Sequence, residues 1–167
     1  MKYIALFAST MLLSFAASAV EIGAKAPDFS LASLKNVAAN GKVNLADYKG
    51  KVVYVDFWAS WCGPCQRSFP SLDAIRNKYK DKGFEVIAIN LDENVKDAND
   101  FLAKHSVSFP IAQDVKGKTA DQFKLKGMPS AYIVDKQGVV KQIVVGFDEK
   151  KEVAAIESTV QALLAAK

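Results

Sequence analysis

Cysteine and histidine are scarce in this chain of 167 residues, where Cys62, Cys65 and His105 are the whole complement. Small folds stapled by disulfides need several cysteines spread along the sequence, so that class is excluded. A four-cysteine zinc site is excluded by the same count, and His105 still leaves a zinc set one ligand short. Haem attachment requires histidine directly after the second cysteine of the pair, and Gln66 stands there instead. The formal excess of charge is only +4, too small to imply a nucleic-acid partner. Repeats, low-complexity stretches and internal linkers are missing as well. What is present is 50% hydrophobic and 24% charged, a balance that supports one domain with a real core and argues against disorder.

Residues 1–19 read as a processing signal. Lys2 precedes an apolar stretch containing Ile4, Leu6, Phe7, Leu12, Leu13 and Phe15, and Ala17-Ser18-Ala19 closes it with the small-x-small pattern of a signal-peptidase site. The competing reading is an uncleaved anchor. Residues 3–20 are uncharged, close to the roughly 20 that a spanning helix needs, but Ser9, Thr10 and Ser14 dilute the run. No cysteine follows the run, which argues against a lipoprotein. The short basic end suits a bacterial leader and hence a periplasmic destination, leaving residues 20–167 as the working domain.

Along that domain, residues 28–34 and 43–46 predict two short strands joined across Asn40-Gly41, a dipeptide suited to a tight turn. The β-branched run at 51–57 and the run at 84–91 predict strands buried on both faces. Between them a helix is expected from about Cys62 to Lys80. Val95, Ala98, Phe101, Leu102 and His105 keep helical spacing, a short strand is expected at 109–113, and a short helix at 118–123. Residues 131–134 and 139–145 flank Lys136-Gln137-Gly138 as a hairpin. Val153, Ile156, Val160 and Leu163 place an apolar stripe on a last helix. Strands alternating with helices, then a hairpin and a helix, predict an α/β sandwich around a mixed sheet.

Trp61-Cys62-Gly63-Pro64-Cys65 sits where a buried strand gives way to a helix. Unpaired N–H groups and the positive end of the helix dipole favour a thiolate at Cys62. Such a setting lowers a cysteine pKa from about 8.5 to near 7 or below. Two intervening residues allow the sulfurs to alternate between dithiol and disulfide. Pro64 falls in the first turn, where its missing N–H costs nothing, and Cys65 should be the more buried thiol. Pro70 lies inside the helix and deletes one of its bonds. A purely structural bridge over so short a loop constrains little of the unfolded chain.

The stretch Val55-Asp56-Phe57-Trp58-Ala59-Ser60 together with this motif resembles the active-site strand and loop of the thioredoxin family. Pro70 matches the family's proline within the helix, Gly127-Met128-Pro129-Ser130 resembles its cis-proline loop, and Gly146 falls where the family has a glycine facing substrate. The opening Ile22-Gly23-Ala24-Lys25-Ala26-Pro27-Asp28-Phe29-Ser30-Leu31 and the extra helix and strand at 95–113 are similar to the exported TlpA/ResA-like reductases. The likeness covers about residues 22–165. It implies a thioredoxin-like fold with an N-terminal β-hairpin and an inserted helix-strand segment.

By that resemblance Cys62 is the attacking thiolate, Cys65 resolves the mixed disulfide, and Asp56, its pKa raised by burial, shuttles the proton of Cys65. The bland reading of Asp56 is a polar residue where its strand surfaces. Trp61, Gly63, Pro64, Met128, Pro129 and Gly146 are expected to face the substrate, whereas Trp58 is undecided between core and surface. Two positions depart from thioredoxin: Ala88 replaces a lysine that many members place opposite the aspartate, and Met128 replaces isoleucine. His105 reads as a helix-edge packing residue. Arg76, Lys78, Lys80 and Lys82 read as a solvated face at a helix C-terminus.

Gly-Pro between the cysteines resembles thioredoxin, with a potential of about −270 mV, and not the strong oxidants near −120 mV. The expectation is therefore an exported reductant of protein disulfides, apocytochrome c among the clients. A membrane electron donor would re-reduce it. It is expected to be a monomer with no resident metal or cofactor. An oxidase or isomerase is the alternative within this chemistry. A Cu(I)-handling protein using Cys62, Cys65 and Met128 is the alternative from another class, although copper chaperones on this fold use a wider cysteine spacing and a distal histidine. A peroxidase is weaker again, because Trp61 and Cys65 replace the Thr/Pro surroundings of the peroxiredoxin cysteine.

Overall fold

The computed structural model describes residues 20–36 and 41–166. The expected leader at 1–19 and the Asn40 half of the first turn lie outside the described residues. Two short strands, β1 (Ser30–Lys35) and β2 (Lys42–Asn44), pair antiparallel as the sequence predicts. The second of them ends early, because Leu45–Tyr48 turns as a 3-10 helix while the Leu45 N–H bonds to Phe29 O at 3.1 Å.

The chain then enters β3 (Val52–Trp58), α1 (Gly63–Tyr79), β4 (Phe84–Asn90) and α2 (Val95–Lys104). Every residue of β3 and β4 is buried, which is why both read as near-continuous apolar runs. The next strand, β5 (Ile111–Gln113), starts two residues later than expected. Pro110 has no N–H to give a ladder and contributes only its carbonyl, to the Ala88 N–H at 3.0 Å. After α3 (Lys118–Phe123) come β6 (Ser130–Val134), β7 (Val140–Val145) and α4 (Glu149–Ala165). Among the described residues the strands form one mixed sheet of seven in the order β2-β1-β5-β4-β3-β6-β7. β3, β4 and β5 run parallel, and the remaining pairs are antiparallel.

Alternation along β3 divides the core between the two faces of the sheet. Trp58 points to the face covered by α1, α2 and α4, with ring centroids 5.0 Å from Phe69 and 5.0 Å from Phe101. It is fully buried, which settles its place as core. Phe57 points to the other face, against Phe123 at 5.2 Å and Tyr132 at 6.0 Å, and the Tyr132 hydroxyl donates to Phe123 O at 2.7 Å. Asp114 starts α3 by accepting the N–H groups of Lys118, Thr119 and Ala120.

One surface expectation is corrected. Arg76 is no solvated charge: its guanidinium forks onto both carboxylate oxygens of buried Glu85, with Nη2 at 3.1 Å. Four residues beyond buried Leu72, it lies at the edge of the apolar stripe of α1 and reaches the start of β4. Lys78, Lys80 and Lys82 are exposed as expected, with Lys78 paired to Glu157 on α4 at 3.0 Å.

Phe69 joins the rings of Trp58, Phe101 and Phe109 from the middle of α1. Phe69→Ala should therefore cost about 3–5 kcal/mol, read as a lowered urea midpoint for the oxidised protein at an unchanged slope. A loss below about 1 kcal/mol would mean that the cluster is not tightly packed.

Candidate functional site

At the end where β3 and β4 finish, Ala59–Trp61 carries the chain from strand to helix. Cys62 caps α1 in an extended conformation, its Sγ accepting the Cys65 N–H at 3.3 Å. The helix therefore begins one residue after the cysteine, with Gly63 and Pro64 in its first turn, where no backbone partner is lost to proline. Cys62 and Cys65 are joined, S–S 2.05 Å and Cα–Cα 5.3 Å. Cys65 is fully buried and Cys62 is 4% exposed, so the order of burial is as the sequence predicts. Beside them Trp61 stands 70% exposed.

Met128-Pro129 is a cis peptide bond. Half-buried Met128 packs against the core cluster that contains both cysteines. Ser130 pairs with Phe57 on one side and Val145 on the other, and the Gly146 N–H donates to Pro129 O at 2.8 Å. Gly146 has φ +81°, a backbone that suits glycine. The ends of β3, β6 and β7 thus bring together Trp61, Cys62, Gly63, Pro64, Cys65, Met128, Pro129 and Gly146 at one pole of the sheet.

Asp56 lies one turn of the pleat below Trp58, on the face covered by α1 and hence on the side of Cys65. It is 1% exposed, and its Oδ2 has no hydrogen-bond partner among the described residues. Its neighbours across the sheet are Ala88 on β4 and Ala131 on β6, so no lysine faces it from either adjoining strand. Burial alone pushes its carboxyl from 3.8 up to about 7. A group balanced in this way holds or releases a proton near neutral pH.

Sequence reasoning missed a polar buttress under the loop. Buried Asp92 accepts from the Ser60 N–H and the Ser60 hydroxyl, both at 2.9 Å, and from the Asn90 amide at 2.7 Å. Gln66 Nε2 donates to Ser60 O at 3.0 Å, and the Leu91 N–H to Trp58 O at 2.9 Å. The available signal was Asn90 and Asp92 directly after the apolar run 86–89. His105 stacks on Phe101 with centroids 4.1 Å apart, a packing role as the sequence suggests.

Residues 22–143 match the model of the AhpC/TSA family. The chain belongs to that family. A thiol-disulfide oxidoreductase ResA from Geobacillus kaustophilus is 34% identical over 136 residues, which cover 81% of this chain and 76% of the relative. A solved structure described as a thiol:disulfide interchange protein DsbE, from Chlorobium tepidum, superposes with a TM-score of 0.82. It has 44% identity and covers 88% of this chain and all of its own. A structure described as a protein disulfide isomerase, from Bacteroides thetaiotaomicron, gives 0.76 at 27% identity, covering 88% and 92%. The fold is thioredoxin-like, and the activity is thiol–disulfide exchange, with Cys62 and Cys65 as its redox pair.

Two outcomes test the site. The folded state keeps the Asp56 proton up to about pH 7, whereas an unfolded chain gives it up near 3.8. Stability from this group is therefore fully present below about pH 4 and is lost as pH rises through 7. Asp56→Asn should remove that slope and stabilise the oxidised protein by roughly 4 kcal/mol at pH 8, measured by urea unfolding across pH. An unchanged slope would refute the raised pKa. Asp92→Ala strands the Ser60 N–H and should cost about 2–3 kcal/mol. It should also slow disulfide exchange about tenfold by loosening the loop, with Asp92→Asn keeping most of both. Equal behaviour of the Ala and Asn variants would remove the buttress from the account.

Proposed function

We propose that this chain is an exported reductant of protein disulfides in a bacterial periplasm. The observation that carries the reading is Gly63-Pro64 between the cysteines, the dipeptide of the reducing thioredoxin-like sites, on a chain whose first 19 residues have the pattern of a cleaved leader.

Cys62, as thiolate at the N-terminus of α1, attacks one sulfur of a client disulfide. The client S–S bond breaks, and the second client sulfur leaves as a thiolate that takes up a proton. Cys65 then passes its proton to Asp56 and attacks Cys62 Sγ, freeing the first client sulfur and closing the Cys62–Cys65 bond. Two electrons move from the protein dithiol to the client. Trp61, Gly63, Pro64, Met128, Pro129 and Gly146 form the surface on which the client segment lies, with its backbone against the cis-proline loop. Clients are exported proteins with cysteine pairs, apocytochrome c among them, and a membrane electron donor returns the pair to the dithiol. The protein acts as a monomer.

Equilibration with glutathione buffers tests the direction. A potential near −270 mV is expected, and one above about −150 mV would replace the reductant with an oxidase or isomerase. Cys62→Ser should abolish insulin reduction, and Cys65→Ser should accumulate a mixed disulfide. Retained turnover in Cys62→Ser would contradict the assigned nucleophile.

A further inference from the structure

Beside the disulfide pole, on the face of the sheet opposite α1, lies a cleft of about 490 Å³. Its floor is Ser130, Tyr132 and Ile143, its rim carries Lys124 and Lys126 from the loop before Pro129, and its far wall is the segment from Val20 to Ile22. That wall is tied to β7 by the Gly23 N–H to Val140 O at 2.8 Å and the Val140 N–H to Ala24 O at 2.9 Å.

Two properties of the cleft have no use in holding the fold. Ile22 and Val145 line it while 66% and 61% exposed, and with Trp61 they are among the few large apolar side chains left in water. Lys124 and Lys126 make no ion pair or side-chain hydrogen bond among the described residues, and Glu21 is the single carboxylate in the lining. Lys124 is placed there as the residue that ends α3, at φ +56° with its N–H bonded to Ala120 O and Asp121 O. Along the backbone the cleft adjoins the disulfide surface. Ser130 follows Pro129 directly, and Val145 precedes the Gly146 whose N–H holds the Pro129 carbonyl.

We propose that this cleft is a second docking subsite for the client polypeptide, taking the segment that runs on past Pro129 and favouring one with apolar and acidic side chains. The proposal rests on the reading of the protein as a reductant of protein disulfides. An aliphatic side chain of the client covers Ile22 and Val145, and a carboxylate lies between Lys124 and Lys126. Selection at this subsite acts on encounter and on how long the client stays, and leaves the exchange step itself untouched.

The test uses the reduced protein and three disulfides. Two are synthetic cyclic peptides that share one cysteine loop and carry Asp-Leu or Lys-Leu on both flanks. The third is bis(2-hydroxyethyl) disulfide, which is too small to reach the cleft. The acidic peptide should react roughly fivefold faster than the basic one, and the preference should vanish at about 0.5 M salt. Combined Lys124→Glu and Lys126→Glu should invert the preference, and Val145→Ser should slow both peptides, while the hydroxyethyl disulfide stays within about twofold throughout. Equal rates for the two peptides in the unsubstituted protein would overturn the subsite. So would a loss toward the hydroxyethyl disulfide as large as that toward the peptides. If none of the three disulfides is reduced, the reductant reading falls and takes the subsite with it.

Discussion

Everything at the reactive pole depends on how β3 passes into α1. The strand is buried on both faces and the helix is buried along one, so the turn between them has only the residues Ala59 to Trp61 in which to change direction. Cys62 falls at the cap because the packing of Trp58 and Phe69 on either side fixes where strand ends and helix begins. The dipole and the free N–H groups of the first turn then act on its sulfur without any charged neighbour being required.

A short turn under such demands needs support from beneath, and Asp92 supplies it. Its buried carboxylate oxygens are taken up by donors from Ser60 and Asn90. Asp56 is the opposite case. It is equally buried, lies between two alanines and has one oxygen without a partner, and it responds by holding its proton to about pH 7. The contrast is one of partners: both oxygens of Asp92 accept hydrogen bonds, whereas Asp56 Oδ2 accepts none among the described residues.

Much of this was legible in the sequence because it is local. The apolar runs of β3 and β4, the proline of the first turn of α1, the Gly138 turn of the hairpin and the cysteine pair are each written within a few consecutive residues. The pairing of Asp56 with Ala88 was also within reach, through the likeness to thioredoxin aligned at Asn90-Leu91-Asp92. The errors were at boundaries and surfaces: β2 stopped early for a 3-10 turn, Pro110 delayed β5, and Arg76 turned inward to Glu85.

By itself the sequence determined the cysteine pair at a helix N-terminus, because spacing and the period of burial specify it directly, and its likeness to thioredoxin added the carboxyl of Asp56 beneath it. The tertiary structure alone decided which side of the sheet Trp58 fills, that Asp92 holds Ser60, and that Ile22, Lys124 and Val145 share one cleft beside Pro129. Those residues are far apart in the chain, and no period in a sequence says which distant side chains will meet; only the order of strands in the sheet does.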